Sequence, residues 1–267
     1  KRIQIQILDE IAMICKQSGL NYYLAYGTLL GAIRHKGFIP WDDDIDIYMS
    51  RDEYEKLLTI MKSPDIKMPH WLELYDGDKD GYYYPFAKAV DNTTIAKMED
   101  NLTKHGIWID IFPVDRLPDS ARKRYLFVKA GKALRDVIIA MTTDFTAQKK
   151  DSKRAVKRLI SIIASAIGKK RIYHFTEWYY QKYRNSGSDM FACLSSSYGT
   201  KEIMHEAELF SPTEVEFESK PYQATEHWEQ YLTKLYGEYS VLPPVEQRRV
   251  HSITAFRCQP SANEGKV

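Results

Sequence analysis

Cysteine is scarce in this chain of 267 residues: Cys15, Cys193 and Cys258 stand far apart and in no paired spacing. This usage excludes a disulfide framework and a zinc knuckle, and it indicates a reducing compartment. Long hydrophobic runs are also lacking, since no segment approaches the roughly 20 uncharged apolar residues that a membrane span requires. The N-terminal residues 1–14 include the acidic Asp9 and Glu10 and contain no small-residue cleavage site, so no signal peptide is expected. We therefore expect a cytoplasmic protein.

A strong net charge is missing as well, because the chain as a whole carries +2. That balance hides an asymmetry: Arg116 to Arg171 contains sixteen Lys or Arg and four Asp or Glu, about +12, which leaves about −10 elsewhere. The sequence has no internal repeat, no low-complexity segment and no recognisable nucleic-acid-reading module. We expect different partners for the acidic and the basic parts, and no nucleic acid.

Hydrophobic spacing predicts an α+β fold, in which a small mixed sheet is flanked by helices and followed by a helical C-terminal region. We expect a catalytic core over residues 1–118 and a mostly helical region over 119–267, packed on the core on the acceptor or membrane side. Helices are predicted over 3–16, 29–34, from a Ser50 or Asp52 cap to 61, 120–141, 151–167, 171–183 and 226–235. Strands are predicted over 22–26, 45–49, 71–75, 82–90, 107–112 and 191–198, with a hairpin over 209–220 and a polar tail after Pro244.

The most informative motif is the acidic run DDDIDI at residues 42–47. On a strand, side chains two apart share a face, so Asp44 and Asp46 should point together while the isoleucines enter the core. Unpaired carboxylates in a dry site are costly, and their hard oxygens suit Mg²⁺ or Mn²⁺ beside a phosphate. Asp42 lies two residues before Asp44 and would share its face, so it is a candidate fourth metal ligand. Asp42 or Asp43 could equally cap the loop. The alternative is an exposed edge strand with acidic turn residues.

Upstream of this motif, Gly27 and Thr28 follow an apolar run and open a predicted helix, a junction that presents backbone N–H groups to an anion. Arg34, His35 and Lys36 end that helix and could contact donor phosphates or balance the aspartates. The alternative for these three cations is a solvated helix C-terminus, where positive charge is favoured in any case.

Two further strands each carry one charged residue in an apolar context. Asp110 interrupts the strand IWIDIFP, and it could be a third metal ligand or the base that accepts a hydroxyl proton. Lys88 lies in FAKAV and could contact a phosphate or extend its ammonium to solvent. Asp115 is interpreted as a turn residue.

Residues 151–172 combine an apolar stripe with flanking Lys and Arg. A basic amphipathic helix of this kind can lie on an anionic membrane surface, which would place the protein at the inner face of the membrane. The alternative is an ordinary core-packed helix with a solvated basic face.

Several of these motifs together resemble the LicD family of phosphotransferases, which includes the similar fukutin-related proteins of animals. The resemblance rests on YGTLLGAIRH at 26–35 and IPWDDDIDI at 39–47. Shorter matches are PFAK at 85–88, WIDIFP at 108–113 with Asp115, YGEY at 236–239, LPP at 242–244, and Arg248, Arg249 and His251.

The resemblance implies a nucleotidyltransferase-type fold with Asp44, Asp46 and Asp110 as its acidic triad, which is both catalytic and metal-binding. It implies a phosphotransferase that uses Mg²⁺ or Mn²⁺ to move a phospho-alcohol, foremost phosphocholine from CDP-choline, to a sugar hydroxyl. The acceptor would be a surface glycan, a lipid-linked glycan, a lipopolysaccharide or a teichoic acid precursor. Substrate-binding roles are expected for Gly27, Thr28, Arg34, His35, Lys36, Lys88, Arg248 and His251.

Four alternatives stay open from the sequence. A glycosyltransferase also holds a nucleotide diphosphate on an Asp-x-Asp metal site. The donor could instead carry ribitol phosphate or glycerol phosphate. The chain could also be a binding module that has lost catalysis, or a nucleotidyltransferase that consumes NTP and releases pyrophosphate.

Overall fold

The structure is a computed structural model that describes residues 1–64, 66–98, 105–146, 154–248 and 253–257. It is an α+β fold, as predicted, with helices arranged around a mixed sheet. The helices are α1 (Arg2–Ser18), α2 (Tyr26–His35), α3 (Arg51–Lys62), α4 (Ala121–Thr142), α5 (Arg154–Ile167), α6 (Lys169–Tyr180), α7 (Glu206–Phe210) and α8 (Trp228–Tyr236). The strands are β1 (Tyr23–Leu24), β2 (Asp46–Ser50), β3 (Leu72–Tyr75), β4 (Ala87–Met98), β5 (His105–Arg116), β6 (Met190–Ala192), β7 (Met204–His205), β8 (Pro212–Phe217), β9 (Lys220–Thr225) and β10 (Ile253–Arg257).

The sheet brings distant parts of the chain together around β5. Its central order is β1-β2-β5-β4-β10, with β3 also paired to β4 and β6 to the end of β5. Strands β2 and β5 run parallel, whereas β4 and β5 run antiparallel. Because β2 and β5 are parallel, the chain must cross over between them, and α3, β3 and β4 occupy that crossover.

Local chemistry explains why most of the predicted helices form where they do. Helix α1 ends at Gly19, which adopts the left-handed conformation at φ 64° and donates its N–H to the Cys15 carbonyl. Helix α3 begins after Ser50, whose hydroxyl accepts the Glu53 N–H, so the Ser50 cap predicted from the sequence is confirmed.

Four local predictions were wrong. The strand expected over 22–26 is only two residues long, because α2 already begins at Tyr26 and therefore includes Gly27 and Thr28. Strand β2 begins at Asp46, so Asp44 lies in the preceding loop rather than on the strand. The expected strand over 191–198 is confined to Met190–Ala192, and a strand, β10, follows Pro244 where a polar tail was expected.

The hydrophobic core lies between the sheet and the helices on its faces. Ile47 and Met49 of β2 and Ile109 and Ile111 of β5 are fully buried, as the alternation predicted. Truncating such a side chain to alanine typically costs about 2–5 kcal/mol of unfolding free energy. The core thereby fixes the two strands that carry the acidic residues.

The predicted division at residue 118 stays a prediction. Beyond it the described chain contains α4 to α8, and it also contains β6, β7 and β10, which pair with the sheet. Within the described ranges, none of the helices combines the length and the apolar character that are needed to cross a bilayer.

Candidate active site

One cavity of about 860 Å³ contains the sequence-predicted acidic residues. Asp42, Asp44, Asp46 and Asp110 all line it, together with Gly27. Its volume lies within the range of about 300–1,000 Å³ that is usual for small-molecule and cofactor sites. The cavity is therefore the candidate active site.

The register of two strands places Asp46 beside Asp110. In the parallel pair β2–β5, Asp46 stands opposite Asp110, and the Asp110 N–H donates to the Ile45 carbonyl at 2.9 Å. The flanking isoleucines enter the core, so the two carboxylates take the opposite face of the sheet. The expected meeting of these two acidic residues on neighbouring strands is thus present in the structure.

Asp42 reaches the same cavity from the loop before β2. Its backbone N–H donates to the Ile39 carbonyl at 2.9 Å, and its carboxylate lies over the first turn of α2. A Cβ atom added to Gly27 would lie 2.5 Å from Asp42 Oδ2, so the approach depends on glycine at position 27. Asp43 is not among the lining residues; its carbonyl accepts a hydrogen bond from the Gln4 amide at 2.7 Å.

Thr28 positions the acidic strand instead of lining the cavity. Its buried hydroxyl accepts the Asp46 N–H at 2.9 Å, and the Ala25 N–H donates to the Asp46 carbonyl at 2.9 Å. The residues at the beginning of α2 are therefore hydrogen-bonded to both the backbone N–H and the backbone carbonyl of Asp46. Tyr26, at that helix start, has a left-handed φ of 44°, which is strained for a non-glycine residue.

The surroundings of Asp46 favour its neutral form. Burial raises the pKa of Asp46 well above its usual range, and the charges of Asp44, Asp110 and Asp42 raise it further, while Lys88 opposes them. Carboxylates that meet in a half-buried cavity offer hard oxygen ligands to a divalent cation.

Lys88 forms an ion pair with one member of this cluster, Asp110. It lies opposite Asp110 in the antiparallel pair β4–β5, and its ammonium donates to Asp110 Oδ1. The ammonium is buried and lies 4.5 Å from the centre of the Trp108 ring, a cation–π distance. Lys88 therefore pairs with Asp110 and is absent from the residues that line the cavity.

The donor set fits a hard divalent cation in its chemistry, because carboxylate oxygens are ligands that such a cation prefers. In the part of the chain that the structure describes, no group of three or more His, Cys, Asp or Glu side chains already stands in a metal-binding arrangement. The metal site predicted from the sequence stays a prediction.

The basic candidates separate in the structure. Arg34 lines the cavity, and its Nη1 donates to the Tyr239 carbonyl at 2.7 Å. His35 stacks edge-on against Trp41, and burial together with Arg34 lowers the pKa of its imidazole. Lys36 is an exposed left-handed residue at the end of α2. Of these three cations, the structure brings only Arg34 to the cavity wall.

The two C-terminal candidates have different outcomes. The Arg248 guanidinium lies 4.3 Å from the centre of the Trp41 ring and donates from Nε to the Pro243 carbonyl at 3.1 Å. Trp41 and Pro243 line the cavity, so Arg248 supports its rim. His251 and Arg249 lie outside the described residues.

Sequence reasoning missed several residues of the cavity wall. Arg135 of α4 lines it, and its Nε donates to the Ser195 carbonyl at 2.8 Å. Tyr198 and Tyr236 also line it, although they are 38 residues apart in the sequence. Arg135 is one of sixteen Lys and Arg residues between Arg116 and Arg171, so no local sequence pattern distinguishes it from the others.

Asp115 was wrongly interpreted as a turn residue. It lies on β5, is almost fully buried, and accepts two hydrogen bonds from the Arg51 guanidinium at 2.7 and 2.9 Å. Arg51 also donates to Glu177 of α6 at 2.9 Å. This network joins α3, β5 and α6 away from the acidic cavity.

Comparisons with known proteins found a matching family model and related proteins. The family model described as LicD/FKTN/FKRP, nucleotidyltransferase domain, matches residues 19–153, which include all four cavity aspartates. The chain is 29% identical over 253 residues to the lipopolysaccharide cholinephosphotransferase LicD of Haemophilus influenzae, and the alignment covers 93% of each chain. An uncharacterised protein of Rickettsia typhi is 35% identical over 68 residues, 24% of this chain and 22% of that protein. The chain therefore belongs to the LicD/FKTN/FKRP nucleotidyltransferase domain family.

Proposed function

We propose that this protein transfers phosphocholine from a CDP-choline-type donor to a sugar hydroxyl of a cell-surface glycan, such as a lipopolysaccharide or a teichoic acid precursor. The full-length similarity to a lipopolysaccharide cholinephosphotransferase supports this substrate class. The observation that carries the proposal is the cavity in which Asp42, Asp44, Asp46 and Asp110 meet, since it is large enough for a nucleotide diphosphate ester.

The cavity offers groups of both signs to such a donor. Arg34 and Arg135 line it and can contact phosphate oxygens, which guanidinium groups bind in a bidentate way. Asp44 and Asp46, with Asp42 and Asp110, would hold Mg²⁺ or Mn²⁺. When bound, such an ion neutralises the diphosphate and the charge that develops on the leaving group.

The reaction exchanges one phosphorus–oxygen bond for another. The acceptor hydroxyl oxygen forms a bond to the phosphorus that bears choline, and the bond from that phosphorus to CMP breaks. The hydroxyl proton must pass to a base. Asp110 is the proposed proton acceptor because it lines the cavity beside Asp46.

A donor panel tests the proposal directly. Purified protein is incubated with a glycan acceptor and with CDP-choline, CDP-ribitol, CDP-glycerol, UDP-sugars or CTP, each with and without Mg²⁺. We expect CMP release and phosphocholine-modified acceptor with CDP-choline, and only when the divalent ion is present.

Each alternative gives its own product in the same panel. Release of UDP from a UDP-sugar would identify a glycosyltransferase, and release of pyrophosphate from CTP would identify a nucleotidyltransferase. Turnover with only CDP-ribitol or CDP-glycerol would change the alcohol. Donor binding without any turnover would identify a binding module.

We also propose that α5 lies on an anionic membrane surface. Of the described residues of α5, only Ala164 is buried, and five of its large apolar side chains are 51–60% exposed: Val156, Leu159, Ile162, Ile163 and Ile167. An exposed apolar stripe is unusual for a helix in water. The surrounding segment carries about +12, which complements anionic lipid head groups.

Vesicle co-sedimentation tests the membrane proposal. We expect binding to phosphatidylcholine vesicles that contain phosphatidylglycerol, weakened by salt, and little binding to phosphatidylcholine alone. The double change Leu159→Ser with Ile163→Ser should abolish binding, while Met13→Ser, an exposed apolar position on α1, should not. A dimer that the double change dissociates would instead identify a second copy of the chain as the partner.

A further inference from the structure

A continuous array of aromatic rings forms one wall of the acidic cavity. Phe86, Phe112, Tyr26, Tyr198 and Tyr236 all line it. Successive ring centres along this order are 4.6, 5.4, 5.5 and 5.5 Å apart. The rings come from α2, β5, α8 and the loops before β4 and after β6, so no single segment of the sequence predicts this aromatic wall.

Tyr198 and Tyr236 form the outer corner of this wall. Their rings are nearly perpendicular, at 81°, and the Tyr198 hydroxyl donates to the Tyr236 hydroxyl at 2.8 Å. That hydrogen bond joins the polar tips to each other and fixes the two rings at an angle. The side chains are half-buried, whereas Tyr26, Phe86 and Phe112 behind them are almost fully buried.

The acidic cluster adds a negative field to this corner. Burial raises the pKa of both phenols, and the charges of Asp46 and Asp42 raise it further. Glu202 also raises the pKa of Tyr198, whereas the hydrogen bond with Tyr236 opposes that rise. An aromatic corner in a negative field attracts a cation that is weakly hydrated, because such a cation loses little solvation when it contacts ring faces. A neutral polyol would instead require hydrogen-bond partners, which this pair of linked hydroxyls supplies poorly.

We propose that the corner formed by Tyr198 and Tyr236 binds the quaternary ammonium group at the alcohol end of the donor. The proposal rests on the proposed phosphocholine transfer and adds to it the side chains that select the alcohol. In this arrangement the donor phosphates lie toward the aspartates and the ammonium group lies against the aromatic wall.

The test compares two donors of the same shape that differ in charge. CDP-choline is matched with its neutral 3,3-dimethylbutyl analogue, in which carbon replaces nitrogen, and the dissociation constant of each is measured by calorimetry. We expect the wild-type protein to bind CDP-choline about tenfold more tightly, which corresponds to the usual strength of one or two partly desolvated cation–π contacts. This comparison needs no variant and is therefore independent of folding.

Two variants then assign the preference to the corner. Tyr236→Leu and, independently, Tyr198→Leu remove one ring and should reduce the ratio of the two affinities to below about threefold. Tyr236→Phe keeps the ring and should keep the ratio. Tyr125→Leu, an exposed tyrosine of α4 outside the cavity, is the matched control and should also keep it.

Two kinds of failure are distinguishable. If the wild-type protein shows no preference for the charged donor, or if both leucine variants keep it, the aromatic corner is not the binding site, even where phosphocholine transfer proceeds. If the wild-type protein transfers no phosphocholine in the donor panel, the proposed function fails and the ammonium site fails with it.

Discussion

Two acidic clusters lie on the same strand, five residues apart, and differ in how their charge is balanced. Asp115 of β5 is paired with Arg51, which also bonds Glu177, so two carboxylates share one guanidinium in a largely buried network. Asp110 of β5 is paired with Lys88, but three more aspartates line the same cavity.

The difference separates a structural ion cluster from a candidate active site. In the Arg51 network each charged group has a hydrogen-bonded partner inside the protein, and the negative excess is a single charge. At Asp46 the charges of three further aspartates raise the pKa against the opposing charge of Lys88, and these four aspartates line a cavity of about 860 Å³. Sequence context alone does not distinguish the two, since both aspartates interrupt the same apolar strand.

The largest expected effect concerns the cavity. Asp46→Asn keeps the size of the side chain but removes its charge, so we expect CMP release from CDP-choline to fall by on the order of a thousandfold. Far-ultraviolet circular dichroism should be unchanged. Asp119→Asn, at an exposed aspartate before α4, is the matched control and should retain full activity. Near-native turnover by Asp46→Asn would remove the cavity from consideration as the active site.

The Arg51 network should respond in stability instead. Arg51→Met leaves Asp115 and Glu177 buried without their cation, which typically costs about 3–5 kcal/mol of unfolding free energy. Urea denaturation measures the loss, with Lys56→Met on the exposed face of α3 as the control. A loss below about 1 kcal/mol would mean that this network is not the structural cluster described above.

His105 lies near Lys88, and its imidazole should make the free energy of unfolding depend on pH. Burial lowers the pKa of its imidazole to about 4, and the charge of Lys88 contributes to the shift. Because the folded pKa lies below the ordinary value near 6.5, stability is fully present above pH 6.5 and is lost as pH falls toward 4.

The loss should reach about 3 kcal/mol at most, since one pKa unit corresponds to about 1.4 kcal/mol. His105→Phe should flatten the stability profile between pH 6.5 and 4, as measured by urea denaturation. The exposed His70→Phe should leave the profile unchanged. An equally steep profile in the His105 variant would contradict the assignment.

The smallest expected effect is the response of the acidic cavity, and not of the Arg51 network, to a divalent metal ion. The raised folded pKa of Asp46 means that its contribution to stability is present below its ordinary pKa near 3.8 and is lost as pH rises through the raised value. In EDTA at pH 8, Asp46→Asn should therefore be more stable than the wild type, and the two should converge near pH 4.

Added Mg²⁺ should narrow that difference at pH 8. Binding at tenfold above the dissociation constant stabilises the wild type by about 1.4 kcal/mol and should not stabilise Asp46→Asn. Thermal unfolding with and without 10-fold excess ion measures both arms. Equal stabilisation of both proteins by Mg²⁺ would show that the ion binds elsewhere.

Much of the local structure could be predicted because it depends on neighbours in sequence. The apolar spacing of α1, its Gly19 end and the Ser50 cap of α3 each involve residues within four or five positions. The start of α2 was predicted too late because Tyr26 holds a left-handed φ that its sequence does not favour. The surrounding tertiary contacts impose that conformation.

The acidic candidates were found from the sequence because carboxylates in apolar strands are costly and therefore conspicuous. Their partners were not found in the same way. Asp115 pairs with Arg51 across 64 residues, and Arg51 pairs with Glu177 across 126. Such pairings depend on how whole helices and strands pack, and no local sequence pattern predicts them.

The sequence by itself determined the alternation that buries Ile47 and Ile111 and turns Asp46 and Asp110 to the other face, because strand geometry has a period of two. Only the tertiary structure decided that these two aspartates stand side by side, that Lys88 serves one of them, and that Tyr198 and Tyr236 close the cavity. The physical reason is register: the pairing of separate strands is fixed by the packing of the whole core, and one residue of slip would place every side chain on the opposite face.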